Sequence, residues 1–243
     1  MQHLFVATLV LILWSPWAAA EKNIRVFIAL CDNKTQGIQP VGAKIGDGDV
    51  PDENLYWGCT DGFGSYFKHS KEWKLVKAEA DVSETILRRM TLKHLSGDAT
   101  LTAEAYRGSA IKKCLEDFES ATNSSQYDLV AFIGHNGLMD FRIEQAKDAP
   151  TRLKQTDTMV LCCISDKYFR GRLERYNARP ILMTQQLMYP GSFILHDALE
   201  VWMRGGSTDE IRAAAARAYA KNQKISVKAA VGIFAPPVSK VPN

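Results

Sequence analysis

The sequence has no glycine fingerprint of a dinucleotide site after its first apolar run, and it has no phosphate-binding loop. Nothing after residue 20 is apolar over a long enough run to cross a membrane. Lysine and arginine are scattered rather than gathered on one face, and the net charge is only +3, which argues against a nucleic-acid partner. No internal repeat or low-complexity tract is present. Cysteine is sparse, with five in 243 residues, and the odd count leaves one thiol over or pairs it between chains. A chain of this length builds enough core to stand without disulfide staples. No further His or Cys falls at ligand spacing near Cys162 and Cys163, so no metal and no cofactor is expected.

Charge is also missing from residues 1–20, which contain no Lys, Arg, Asp or Glu. Their apolar run Leu4–Trp14 is too short for a bilayer, and Ala18–Ala20 offers small residues for cleavage. They read as a signal peptide cut near Ala20/Glu21, which makes the protein secreted or periplasmic. An uncleaved anchor is the alternative. The remainder, 21–243, is one domain's worth of chain. The full chain, with 46% hydrophobic and 23% charged residues, has ordinary globular composition. Asn33-Lys34-Thr35 and Asn123-Ser124-Ser125 match the glycosylation sequon.

Short apolar runs bounded by turn residues recur along this domain. Ile24–Leu30, Leu129–Ile133 and Met159–Leu161 read as buried central strands of a parallel sheet. Trp73–Ala80, Thr100–Tyr106 and Ile181–Met183 read as further strands. Helical spacing marks Asn54–Phe67, with Cys59 on its apolar face, although three glycines weaken that reading. It also marks Ser109–Ser120, with Ser109 as cap and Cys114 in the stripe. Asp166–Tyr176 and Phe193–Arg204 read as helices, and Ser207 with Glu210 forms a capping box for a helix to about Gln223. Ser83–His94 is ambiguous: its apolar residues fit a helix that Ser83 would cap. The tail, with Pro236, Pro237 and Pro242, is expected to be poorly ordered. Strands alternating with helices make an α/β fold: an open, mostly parallel sheet with helices on both faces, a three-layer α/β/α sandwich.

Ligands bind such sheets beyond the carboxyl ends of the strands. Leu129–Ile133 runs into Gly134, His135, Asn136 and Gly137, and Met159–Leu161 runs into Cys162, Cys163, Ile164 and Ser165. The 28 positions from His135 to Cys163 leave room for one crossover between parallel neighbours. Adjacent strands lie about 4.8 Å apart, so an imidazole and a thiol can meet there as base and nucleophile. Gly134 and Gly137 permit a tight turn and could offer N–H groups to an oxyanion. Asp32 and Asn33, after the first strand, could line the same pocket or merely initiate a turn. His196, beside Asp197, is an alternative base or an ordinary packed histidine. The long polar loop after Asn33 has the character of a functional loop.

The pair FIGHNG and VLCCIS resembles the caspase-like cysteine peptidases, the group of caspases, legumain, gingipains and separase. In these an apolar strand ends in His-Gly and another ends in the catalytic Cys, often after a small residue. The likeness covers about Ile24–Gln186 in strand order, with matching residues only around the two strand ends. It implies a caspase-like sandwich, Cys163 as nucleophile, His135 as general base, and a peptide or protein substrate. Asn136 departs from the pattern by separating His135 from Gly137, so the oxyanion donor would be the N–H of Asn136 or Gly137. Asn136, Ser165, Asp32 and Asn33 are expected to contact substrate. Asp32, Asp140 and Asp166 could each make a pocket selective for basic side chains. Lys147–Lys154 is a plausible accessible segment. Two rivals share the fold: a non-catalytic binding protein, and a thiol redox protein using Cys162 and Cys163. The export reading predicts that the secreted protein begins at or near Glu21, which N-terminal sequencing checks. Cytoplasmic protein with Met1 intact would refute it.

Overall fold

The structure, a computed structural model, describes residues 21–145, 155–176 and 178–237. The signal segment, the Lys147–Lys154 segment and Pro242 lie outside the described residues. Among the described residues, seven strands form one sheet. They are β1 (Lys22–Ala29), β2 (Trp73–Ala80), β3 (Ile86–His94), β4 (Ala99–Tyr106), β5 (Leu129–Ile133), β6 (Asp157–Leu161) and β7 (Arg179–Leu182). Their order is β2-β3-β4-β1-β5-β6-β7. Strands β4, β1, β5, β6 and β7 are mutually parallel, and β3 and β2 extend that sheet antiparallel at the β4 side.

The central strands alternate their side chains between two cores, as the strand period of two requires. Ile24, Val26, Ile28, Ala131 and Met159 face one layer of helices: α1 (Phe63–Lys68), α4 (Ser192–Met203), α5 (Thr208–Gln223) and α6 (Val227–Val231). Phe27, Ala29, Val130, Phe132 and Val160 face α2 (Ile111–Asn123) and α3 (Ser165–Arg175). Every residue of β5 and β6 is buried, which matches the wholly apolar sequence of β5 and the Met159–Leu161 run of β6. The result is a three-layer α/β/α sandwich.

Three local expectations change. Ser83–His94 is not a helix: β3 occupies Ile86–His94, and Ser83 caps a turn by accepting the Thr85 and Ile86 N–H groups. A bulge at Leu87 is the reason. It puts an extra residue between the partners of Tyr106 and Ala105, so Leu87 and Met90 reach the same core three positions apart. That spacing imitates a helix. Within Asn54–Phe67 only the last turns are helical, beginning at Phe63. Gly58 lies where any side chain would strike the backbone of Asp52, so the glycines serve a close chain crossing. Cys59 is therefore half-buried in a turn, its thiol 3.4 Å from the Glu53 carbonyl, rather than on a helical stripe. The third change is at α2, which starts after a 3-10 turn and has no side-chain cap, so Ser109 does not cap it. The Ser207–Glu210 capping box of α5 forms as read.

Arg25, the only charge of its apolar run, is explained by the sheet. Its guanidinium lies 2.6 Å from Glu104 on β4, and Arg89 on β3 donates to the same carboxylate at 2.7 Å. Glu104 is only 1% exposed. Removing its charge leaves two guanidinium groups facing each other across three strands. Glu104→Gln is expected to lower stability by about 2–3 kcal/mol in urea unfolding, somewhat less than for a fully buried pair because both arginines retain contact with water. An unchanged midpoint would refute this role.

Candidate functional site

The pairing of β5 with β6 ends at Ile133 opposite Leu161. It continues past the strands: the Gly134 N–H donates to the Leu161 carbonyl at 3.3 Å, and the Asn136 side-chain amide donates to the Cys163 carbonyl at 2.7 Å. His135 and Cys163 are thus equivalent positions just beyond two adjacent parallel strands. Gly134 takes φ +152°, and a side chain there would press on the Ala29 carbonyl of β1 at 3.0 Å.

His135 and Cys163 both line a cleft of about 410 Å³ at the carboxyl edge of the sheet. Its walls are loops that follow four adjacent parallel strands. Gly37, Ile38 and Gln39 come after β1; Gly134, His135 and Met139 after β5; Cys163 after β6; Leu187, Met188 and Pro190 after β7. Tyr56 completes the lining. This is where an open parallel sheet places a ligand.

Within the cleft the imidazole is held by a carboxylate. His135 Nε2 lies 2.7 Å from Asp140 Oδ2, which also accepts the Gly37 N–H at 2.9 Å. Asp140 therefore ties the loop after β1 to the histidine and fixes the ring. With Nε2 donating to Asp140, Nδ1 carries the free lone pair. The Cys163 thiol accepts the Met188 N–H at 3.4 Å and lies 3.6 Å from the Met188 carbonyl. Among the described residues no hydrogen bond joins the His135 ring to Cys163. Ile164, immediately after Cys163, takes the left-handed conformation (φ 50°, ψ 38°) as the chain turns from β6 into α3. For a β-branched residue that geometry is strained.

The other residues expected to contact substrate serve the scaffold. Asp32 accepts the Lys34 N–H at 2.9 Å and the Thr35 hydroxyl at 2.7 Å, which is the turn-initiating alternative. Asn33 pins its loop by bonding both backbone groups of Val41. Asn136 is fully buried; besides the Cys163 carbonyl, it accepts the Leu138 N–H. Ser165 is buried and bonds the Val160 carbonyl and Thr184. The Gly137 N–H donates to the His135 carbonyl at 3.1 Å, so that donor is engaged in the turn. Asp166 pairs with Arg170. Sequence reasoning weighed Asp140 only for substrate charge and missed it as the partner of His135. The signal available was a carboxylate one tight turn beyond the histidine.

Burial sorts the cysteines. It pushes the Cys31 thiol up to about 11, and raises those of Cys59, Cys114 and Cys162. Cys162 belongs to the α2–α3 core, whereas Cys163 lines the cleft at the carboxyl edge of the sheet. Among the described residues no cluster suited to a metal ion occurs.

His196 does not line this cleft. It clamps α4 to the segment before β2, with Nε2 2.9 Å from Ser70 Oγ and 3.3 Å from Glu72, and Nδ1 3.0 Å from Asp197. Burial lowers its pKa, but the Asp197 hydrogen bond and the charges of Asp197, Glu200 and Glu72 outweigh burial and raise it overall. A raised folded-state pKa stabilises the fold fully below the unfolded value, about 6.5, and that gain fades as pH rises through the folded value. His196→Gln is therefore expected to lower the melting temperature more at about pH 5 than at about pH 9. Equal losses at both would refute the ion-pair role.

Comparison with protein-family models, with curated proteins and with solved structures finds no match for the chain.

Proposed function

We propose that the chain is an exported cysteine hydrolase acting on peptide bonds, with Cys163 as nucleophile, His135 as general base and Asp140 as the residue that positions His135. The observation that carries this reading is the sharing of one cleft by a partly exposed thiol and a carboxylate-held imidazole at the ends of adjacent parallel strands. Cys163 Sγ–H gives its proton to His135 Nδ1, and the sulfur attacks the scissile carbonyl carbon. The imidazolium then returns the proton to the leaving amine as the C–N bond breaks, which leaves a thioester on Cys163. Water, deprotonated by His135, releases the acid and restores the thiol. Asp140 holds Nε2, which leaves Nδ1 as the base, and stabilises the imidazolium. The thiol must leave Met188 for this to begin, and catalytic hydrogen bonds are often long in an empty site.

A second reading has its own support. The thiol bonds Met188 and the ring bonds Asp140, with no bond between them, as in a binding protein that keeps both residues for packing.

Alkylation kinetics and turnover separate the two. In the hydrolase, Cys163 reacts with iodoacetamide faster than Cys162, and His135→Ala slows that reaction. Asp140→Asn cuts peptide-library turnover by on the order of 10²-fold. Cys163→Ala abolishes turnover, whereas Cys162→Ala reduces stability and leaves activity largely intact. A Cys163 alkylation rate indifferent to His135→Ala, with no turnover by the parent protein, would leave the binding reading standing.

A further inference from the structure

We propose that the cleft accepts an apolar side chain beside Cys163 and rejects a charged one. This rests on the hydrolase reading above and names the substrate class of that same site. Its walls include Ile38, Tyr56, Met139, Leu187, Met188 and Pro190, with Gln39 as an uncharged polar member. Among the described residues no Lys, Arg, Asp or Glu lines it. His135 supplies its basic group, and that ring is already paired with Asp140.

The carboxylates that could have selected a basic side chain are engaged elsewhere. Asp32 closes a turn, Asp140 holds His135 and the Gly37 N–H, and Asp166 pairs with Arg170. A charged side chain entering the cleft would lose water without gaining an ion-pair partner among the described lining residues. An apolar one would cover surface that water now touches. Met139 and Leu187 are 41% and 67% exposed, large apolar residues open to solvent on the cleft's walls. Two of the wall residues are methionines, whose unbranched chains adapt to differently shaped apolar partners. The preference is therefore for apolar character over any single shape. It departs from the pocket selective for basic side chains that Asp32, Asp140 or Asp166 could have made.

The test uses peptidyl chloromethyl ketones that differ only in the residue beside the reactive carbon: Leu, Phe, Lys or Asp. Alkylation at Cys163 is followed by mass spectrometry. The Leu and Phe reagents are expected to react at least about tenfold faster than the Lys and Asp reagents. Met139→Glu should shift the ratio toward the Lys reagent, and Leu187→Glu, at a more exposed position, provides the same test should the first variant fold poorly. Equal rates, a preference for either charged reagent, or no labelling of Cys163 by any of the four would overturn the proposal. Failure of the hydrolase reading looks different: apolar-selective labelling would persist while turnover is absent and His135→Ala changes nothing.

Discussion

The in-register parallel pairing of β5 with β6 is the constraint on which the cleft depends. A slip of one residue would move every side chain of one strand to the opposite core. It would also exchange Cys163 for Cys162 or Ile164 at the cleft wall. Packing guards against this from both faces, since Ala131 and Met159 belong to one core and Val130, Phe132 and Val160 to the other. The Asn136 amide then carries the register two residues past the last strand pair by holding the Cys163 carbonyl. A buried amide bonded at both of its ends is a rigid link, and leaving either end unpaired would carry a desolvation cost. Asn136, which separates His135 from Gly137 in the sequence, is therefore the residue that joins the two strand ends.

How much of this was legible follows from the range of the interactions involved. β1, β5 and β6 are buried on both faces, so their apolar runs announced them without reference to anything distant. The His and Cys at their ends were legible for the same reason, because a strand's carboxyl edge is a place the chain itself marks. Asp140 was not legible as the partner of His135. Its role depends on the 3-10 turn Gly137–Met139 bringing it back to the ring, and on Gly37 arriving from the loop after β1. β3 failed for a different reason. Its bulge at Leu87 replaced the strand period with a spacing of three, and the pairing partner that forces the bulge lies on β4. The polar loop after β1 suggested ligand contacts by composition, but its Asp32 and Asn33 hold the loop's own shape.

The two neighbouring cysteines show how position alone separates chemistry. Cys162 is fully buried among Phe132, Val160 and Phe169, where ionisation is opposed by loss of water. Cys163 is one residue further on, and its sulfur faces the cleft. A vicinal disulfide would need both sulfurs on one side of the chain, while here one belongs to the core and the other to the opening. The redox rival thus asks for a rearrangement of the β6 end. The hydrolase reading asks for rotation of the thiol away from Met188 toward His135.

That rotation takes place at a turn held under strain. Ile164 adopts a left-handed backbone that costs about 1–3 kcal/mol for a residue of its kind. Several bonds hold it there. The Ile164 N–H donates to the Gln186 carbonyl at 3.0 Å, and Ser165 is fixed by Thr184 and the Val160 carbonyl. Gln186 is followed directly by Leu187 and Met188, so the contact that braces the turn belongs to the segment that also holds the thiol. The loop after β7 thereby couples two features of the cleft: the backbone that presents Cys163 and the apolar wall opposite His135. A substrate side chain settling against Leu187 and Met188 would press on the same loop that bonds the sulfur. In the proposed chemistry, the apolar group and the thiol therefore contact one and the same loop.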